Sequence, residues 1–209
     1  MVETRRERQR RELIDEILTS ARHQLDAGGR TAVSLRAIAR DVGLSPASMY
    51  TYFSSLDDVF TDLIAESFSG LAAALESARA STDDPLDRLL AVADTYRRWA
   101  HDNTAQFNLV FTDQLGGYQA PSDGRTVDAE TSVVKPILVS IGEALGVTGL
   151  ATALDAAEHE QLTAVYGLIH GLVMLDVNGH GLPGLDHRSL LRSALMQAVA
   201  GTTTSGTSL

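Results

Sequence analysis

The chain has 209 residues, 44% of them hydrophobic, enough to bury a substantial core in one domain or in a small one joined to a larger one. It has no cysteine, which excludes disulfides and thiolate metal sites and fits a reducing compartment. The formal net charge of −10 disfavours nucleic acid only until its distribution is read: residues 1–53 hold nine arginines against seven acids, and the rest is strongly acidic. No apolar run approaches the ~20 residues of a membrane span. The opening MVETRRERQRREL mixes Glu3, Glu7 and Glu12 among its arginines and lacks an export-signal core, so the cytoplasm is the expected compartment.

Taken in order, residues 1–10 read as an Arg-rich arm, a fraying helix end or a phosphate-touching segment. Ile14, Ile17, Leu18, Ala21 and Leu25 then mark one stripe of a helix stopped at Gly28-Gly29. Ser34 caps a second helix carrying Leu35, Ile38, Ala39 and Val42, and Gly43 ends it in the left-handed conformation. Ser45 and Pro46 open a third helix to about Phe53, with Met49 and Phe53 on its inner face. From Ser55 an apolar stripe runs without a linker to Arg79. Pro85 opens a helix to His101, a shorter one spans about 104–115, and GGYQAPSDGR at 116–125 is the long loop. A helix over 126–145 contains Pro136, which predicts a kink or a broken start. The next helix, from Asp155, is apolar nearly all round between Leu162 and Val177, which predicts burial on both sides, and Asn178-Gly179 stops it. A last helix covers 186–200, and the tail 201–209 reads as disordered. With no strand pattern, the fold is all-α with about nine helices: a three-helix head at 1–54, a helical body at 55–200, and the tail.

Residues 34–53 form a helix, a tight turn and a short second helix. The first turn of that second helix is small and polar, so it can enter a major groove, and the hydroxyls of Tyr50, Thr51 and Tyr52 can reach phosphates. Residues 34–60 resemble the DNA-binding signature of the TetR family of one-component bacterial regulators, through Ser34, Ile38, Ala39, Gly43, Leu44, Ser45, Tyr50 and Phe53. One departure is Leu56, where the family usually carries a phosphate-binding lysine. The backbone N–H groups at that helix start remain available in its place. A second stretch, Tyr166 to Gly181, resembles a TetR C-terminal subfamily marked by an aromatic four residues before a His-Gly pair; its usual tryptophan is Tyr166 here.

The resemblance implies a ligand-responsive regulator, most simply a repressor, that binds a near-palindromic double-stranded operator as a homodimer. It implies DNA contacts from Ser34, Arg36, Ser45, Pro46, Ala47, Ser48, Tyr50, Thr51 and Tyr52. It also implies a four-helix interface from the last two helices, and an effector that swings the 55–79 helix to change the spacing of two heads. Gly167 and Gly171, four apart on one face, allow close helix approach, and with Leu191 and Leu195 they form the candidate dimer interface. Tyr96, Trp99, Phe107, Phe111, Tyr166, His170 and Met174 are the candidate effector residues. They offer aromatic walls with a few polar handles, suited to an apolar or aromatic small molecule, and they serve equally as core. The histidines have no metal-ligand spacing, and no phosphate loop or nucleophile turn occurs, so no metal, cofactor or catalytic residue is expected. The rival readings are an all-α enzyme using His170 with a carboxylate, and a helical adaptor whose head contacts protein.

Overall fold

A computed structural model describes residues 4–112, 125–147, 154–181 and 183–204, apart from the side chains of 125–127 and 202–204. Among them are nine α-helices and no strand: α1 Arg5–Gly28, α2 Leu35–Asp41, α3 Pro46–Met49, α4 Leu56–Arg79, α5 Pro85–Asp102, α6 Thr104–Phe111, α7 Arg125–Leu145, α8 Ala156–Val177 and α9 His187–Thr204. A single 3-10 turn, Arg30–Ala32, joins α1 to α2. No helix of the described residues is long and apolar enough to cross a membrane. The loop read at 116–125 lies outside the described residues, save for Arg125 at the start of α7.

The chain divides into two compact units, Met1–Phe68 with Asn103–Asp128, and Ser69–Asp102 with Ala129–Leu209. This differs from the linear boundary at residue 54, because α6 packs on α1 and the first half of α4 belongs to the same core.

In the first unit the arginine-rich start is helix rather than arm. Thr4 Oγ1 accepts the Glu7 N–H at 3.3 Å, and the Glu7 carboxylate accepts the Thr4 N–H at 2.8 Å. This reciprocal cap satisfies two otherwise orphaned donors and starts α1 at Arg5. The buried face of α1 is Ile17, Leu18, Ala21 and Leu25, meeting Ile38 and Ala39 of α2, Met49 of α3 and Phe53 in one core. Each fully buried side chain of this size contributes ~1.5–3 kcal/mol. One side chain of α1 ties down both ends of α2. Gln24 Oε1 accepts the Ser34 N–H at 3.2 Å, and Gln24 Nε2 donates to Asp41 at 2.8 Å. The Gln24 and Ser20 hydrogen bonds hold the Asp41 carboxyl below the usual carboxylate range, at a helix C-terminus whose dipole alone would disfavour an anion.

In the second unit α5, α8 and α9 pack on one another. The contact is built from Leu89, Val92, Ala93 and Tyr96 of α5, Leu162, Val165, Ile169 and Val173 of α8, and Leu191 and Leu195 of α9. Glu143 of α7 accepts from Arg79 at 2.8 Å and from Arg88 at 2.7 Å, joining the ends of three helices. Of the kink or broken start expected at Pro136, the broken start does not occur: α7 runs as one helix through it, with the buried Ser140 hydroxyl donating to the Pro136 carbonyl at 2.8 Å. Lys135, next to it, is exposed.

Two further expectations are corrected here. Helix α8 is buried on one face, not on both: Gly167 and Leu175 are exposed and Leu168, Gly171 and Leu172 are partly so. Helix α9 continues to Thr204, so the first four residues of the expected tail are helical.

Candidate DNA-binding head and effector body

The helix-turn-helix is set by its caps. Ser34 Oγ accepts the Ala37 N–H at 3.2 Å, and Ser45 Oγ accepts the Ser48 N–H at 3.0 Å. Between them Gly43 adopts φ +73°, which a side chain would resist. The Leu44 N–H bonds the Ala39 carbonyl at 2.8 Å, closing α2 with the helix stop that a left-handed glycine permits.

The third helix is shorter than expected. It ends at Met49, and Tyr50 to Phe53 form a turn held by backbone bonds from Tyr52 and Phe53 to the Met49 carbonyl, at 3.0 and 3.1 Å. Met49 and Phe53 are buried beneath it. Ser45, Pro46 and Ala47 are exposed and Ser48 is partly covered, its hydroxyl 2.8 Å from that of Ser45. Ser34, Arg36 and Pro46 line one open groove with Arg40, a residue the sequence reading passed over although its side chain is 78% exposed.

The three hydroxyl residues of the turn have different surroundings. Tyr50 is 61% exposed. Thr51 donates its hydroxyl to the Ser48 carbonyl at 2.6 Å, leaving the oxygen as an acceptor, which a phosphate oxygen cannot use. Tyr52 is half-buried with the Arg10 guanidinium 5.1 Å above its ring.

At the start of α4, Leu56 is half-buried, and Ser55 and Asp58 cap the helix reciprocally. The Asp58 carboxylate accepts the N–H groups of Ser54 at 3.0 Å and Ser55 at 3.1 Å, along with the Ser54 hydroxyl. These bonds, the Ser54 hydroxyl first, hold its carboxyl below the usual range. The N–H groups of the N-cap and of the residue before it are thereby satisfied within the chain. The pattern S-x-x-D was visible in the sequence and points to this cap.

Of the seven candidate effector residues, two lie in the first unit and five in the second. Phe107 and Phe111 belong to the first unit, 4.9 Å apart by ring centroid, with Phe68 edge-on to Phe111 at 6.0 Å. Phe107 is fully buried there. Trp99 lines an open groove of small residues from α4 and α5, among them Ala74, Ser77, Ala78 and Thr95. Met174 is half-buried near the end of α8, where its carbonyl accepts from Asn178 at 3.0 Å. Tyr96, Tyr166 and His170 come together within the second unit. The buried Tyr96 hydroxyl lies 2.8 Å from His170 Nδ1, and Tyr166 stacks on the His170 ring at 6.1 Å and 14°. Burial lowers the His170 pKa and raises that of Tyr96 strongly; burial, with Glu130 second, also raises Tyr166. Burial thus favours the uncharged form of all three groups.

The four candidate interface residues divide as well. A Cβ added at Gly167 or Gly171 would meet nothing within 4 Å, so both glycines look away from the subunit's own core. Leu191 and Leu195 are 3% and 0% exposed, which corrects their assignment: they hold α9 to its own subunit, and Met196, 45% exposed, lies on the outward side.

Sequence reasoning missed Asp176, a polar group with three charged or ionisable partners, whose side chain is 9% exposed. It accepts from Arg97 Nε at 2.6 Å, His101 Nε2 at 2.8 Å and His187 Nδ1 at 3.0 Å, joining α5, α8 and α9. Burial alone would raise its carboxyl, but the His101 hydrogen bond and the Arg97 charge outweigh this and hold it below the usual range. Gly181 makes room for the arrangement, since a Cβ there would collide with the His187 ring. No group of three or more His, Asp or Glu among the described residues is arranged to hold a metal.

A capped helix-turn-helix in an N-terminal unit, followed by a second all-α unit, defines the architecture of a helical one-chain regulator. The chain belongs to the TetR family. The profile of the bacterial regulatory proteins of that family matches residues 17–63, and that of the tetracyclin repressor-like C-terminal domain matches residues 89–198. The HTH-type transcriptional regulator Rv1816 of Mycobacterium tuberculosis is 35% identical over 153 residues, which are 72% of this chain. The chain spans 65% of the length of that relative. Among solved structures, a candidate regulatory protein, SCO4313, is 27% identical with a TM-score of 0.77, covering 95% of this chain and 100% of that one. The TetR family regulator PfmR of Thermus thermophilus shares the fold at 18% identity and a TM-score of 0.61, over 89% of this chain and 98% of its own.

Proposed function

We propose that this chain is a ligand-responsive transcriptional regulator: a cytoplasmic homodimer that represses from a near-palindromic operator and is released by a largely apolar or aromatic small molecule. The observation that carries the reading is the head surface, where a capped first turn, Pro46 to Ser48, and a 61% exposed Tyr50 are held over the buried Met49 and Phe53. A hairpin serving only as core would have no reason to keep that face small, polar and open. Basic charge in residues 1–53 on an otherwise acidic chain favours approach by this end. Assembly through α8 and α9 is supported by an outward face of Gly167, Gly171, Leu175 and Met196 that no part of the described subunit fills.

The decisive experiment is selection of duplex DNA from a random pool by the purified chain. A recovered palindrome with half-sites about one turn apart, ~34–36 Å, supports the reading, and no salt-sensitive duplex binding sinks it. On that operator, Tyr50→Phe removes one hydroxyl and no apolar bulk. It is expected to weaken binding about fivefold on preferred and unpreferred sequences alike, with the melting temperature unchanged. Equal affinity for wild type and variant would remove Tyr50 from the contact set.

The effector is placed at the uncharged Tyr96–His170–Tyr166 cluster. An apolar or aromatic molecule with one hydrogen-bonding group suits it better than a charged one, because burial disfavours ionisation there. His170→Ala is expected to bind operator normally and to lose effector-induced release. Trp99→Ala, altering an open groove, is expected to respond as wild type does. Normal release from His170→Ala would return the cluster to the core.

A further inference from the structure

We propose that Arg10 is a positioning residue of the reading head: by stacking on Tyr52 and bonding the Thr51 carbonyl, it fixes the turn that presents Tyr50. The proposal rests on the DNA-binding reading above. Its starting point is the shortness of α3, four residues from Pro46 to Met49. One turn of helix has little stability of its own, and the exposed residues that follow it need support from elsewhere. Backbone bonds to the Met49 carbonyl and the buried Phe53 hold the inner side of the turn.

The outer side is held from α1. Arg10 Nη1 lies 3.4 Å from the Thr51 carbonyl, 41 residues away in sequence, and the guanidinium sits 5.1 Å from the centroid of the Tyr52 ring. A planar guanidinium can cover a ring and donate along its edge at once; an ammonium on a flexible stem cannot do both. Neither contact involves the Tyr50 side chain. Arg10 acts on Tyr50 through the backbone of the two residues that follow it. The cap at Thr4 gains a purpose in this arrangement, because it extends α1 far enough toward the N-terminus to place residue 10 in a regular helix beside the turn.

A second possibility, that Arg10 reaches a phosphate itself, makes a different prediction, and the two are separated with the full-length chain on its selected operator. Arg10→Lys keeps the charge and loses the stacked, edge-donating geometry; Arg10→Met loses both. Positioning predicts that Arg10→Lys weakens operator binding about threefold to tenfold, as expected for an exposed cation–π contact with one hydrogen bond. The salt dependence of binding stays that of wild type, since no phosphate contact is lost. Adding Tyr50→Phe to Arg10→Lys costs less than it costs in wild type, because Tyr50 is already misplaced.

Wild-type affinity in Arg10→Lys overturns the proposal. So does Arg10→Met lowering the salt slope by about 0.9 while Arg10→Lys binds fully, which is the signature of a direct phosphate contact. Strict additivity with Tyr50→Phe overturns it too, as does a fall in melting temperature that accounts for the lost binding. Failure of the wild-type chain to bind any duplex is a distinct result: it removes the regulator reading, and this proposal with it.

Discussion

Asp176→Ala is expected to be among the most damaging single substitutions in the second unit, lowering stability by ~2–4 kcal/mol in chemical or thermal unfolding. The side chain is 9% exposed and accepts from Arg97, His101 and His187, which come from two different helices. Removing it leaves a partly buried guanidinium without its counter-charge and two imidazole donors without an acceptor, and such loss of one partner costs far more than the pair contributes net. Asp176→Asn keeps the shape and loses the charge, so an intermediate effect is expected. The carboxyl is held below its ordinary value of 3.8. Its stabilisation is therefore fully present above that value and is lost as pH falls through the lower folded-state value. The Ala variant should accordingly show a shallower loss of stability in acid than wild type. An acid limb identical in the two proteins would show that Asp176 is not the group that titrates.

Gly167→Leu and Gly171→Leu are expected to split the proposed homodimer while leaving each subunit folded. A Cβ at either position meets no atom of the described residues within 4 Å, so an isolated chain accommodates the new side chain. Two α8 helices packed on these glycines would be forced apart, an overpacking cost of ~1–3 kcal/mol at each copy of the site. Because a symmetric interface meets the substitution twice, sedimentation should show mainly monomer at micromolar concentration. Operator affinity should fall by orders of magnitude, since two half-sites are no longer engaged by one particle. Leu191→Ala and Leu195→Ala provide the contrast. Both side chains are buried inside the subunit, so these variants should unfold more easily, ~2–5 kcal/mol each, before any change in assembly. Unfolded rather than monomeric glycine variants would place those two positions against their own core.

What the sequence made legible was local chemistry. Ser34, Gly43, Ser45 and Pro46 each state one backbone requirement, and the structure places a cap, a left-handed turn and a helix start at those residues. Gly179, at φ +68°, likewise ends α8 after Asn178 as read. The cap at Thr4 was equally readable from Thr-x-x-Glu and was passed over in favour of the arginines around it. The end of α3 was less accessible, because Tyr50 to Phe53 contain no breaker and their apolar spacing continues the helix period. Periodicity also names a face without naming what covers it. Leu191 and Leu195 were rightly a stripe and were assigned to the wrong neighbour, and the uniform apolarity of α8 concealed a face open to solvent in the subunit. Nothing in the sequence couples Arg10 to Tyr52, or Asp176 to residues 75 or more positions earlier. Such pairings exist only once the helices are packed.

Lys135, exposed on α7, is the one lysine of the chain. Every permanently charged basic side chain of the head is therefore an arginine, whose charge neither acylation nor a shift of pH within the living range can remove. Lysine acetylation, a common means of loosening a protein from DNA, has no target on the surface proposed to bind it. In the laboratory the same fact is convenient. Apart from the α-amino group, an amine-reactive fluorophore has a single attachment point, in the second unit, and can report on that unit without touching any side-chain charge in residues 1–53.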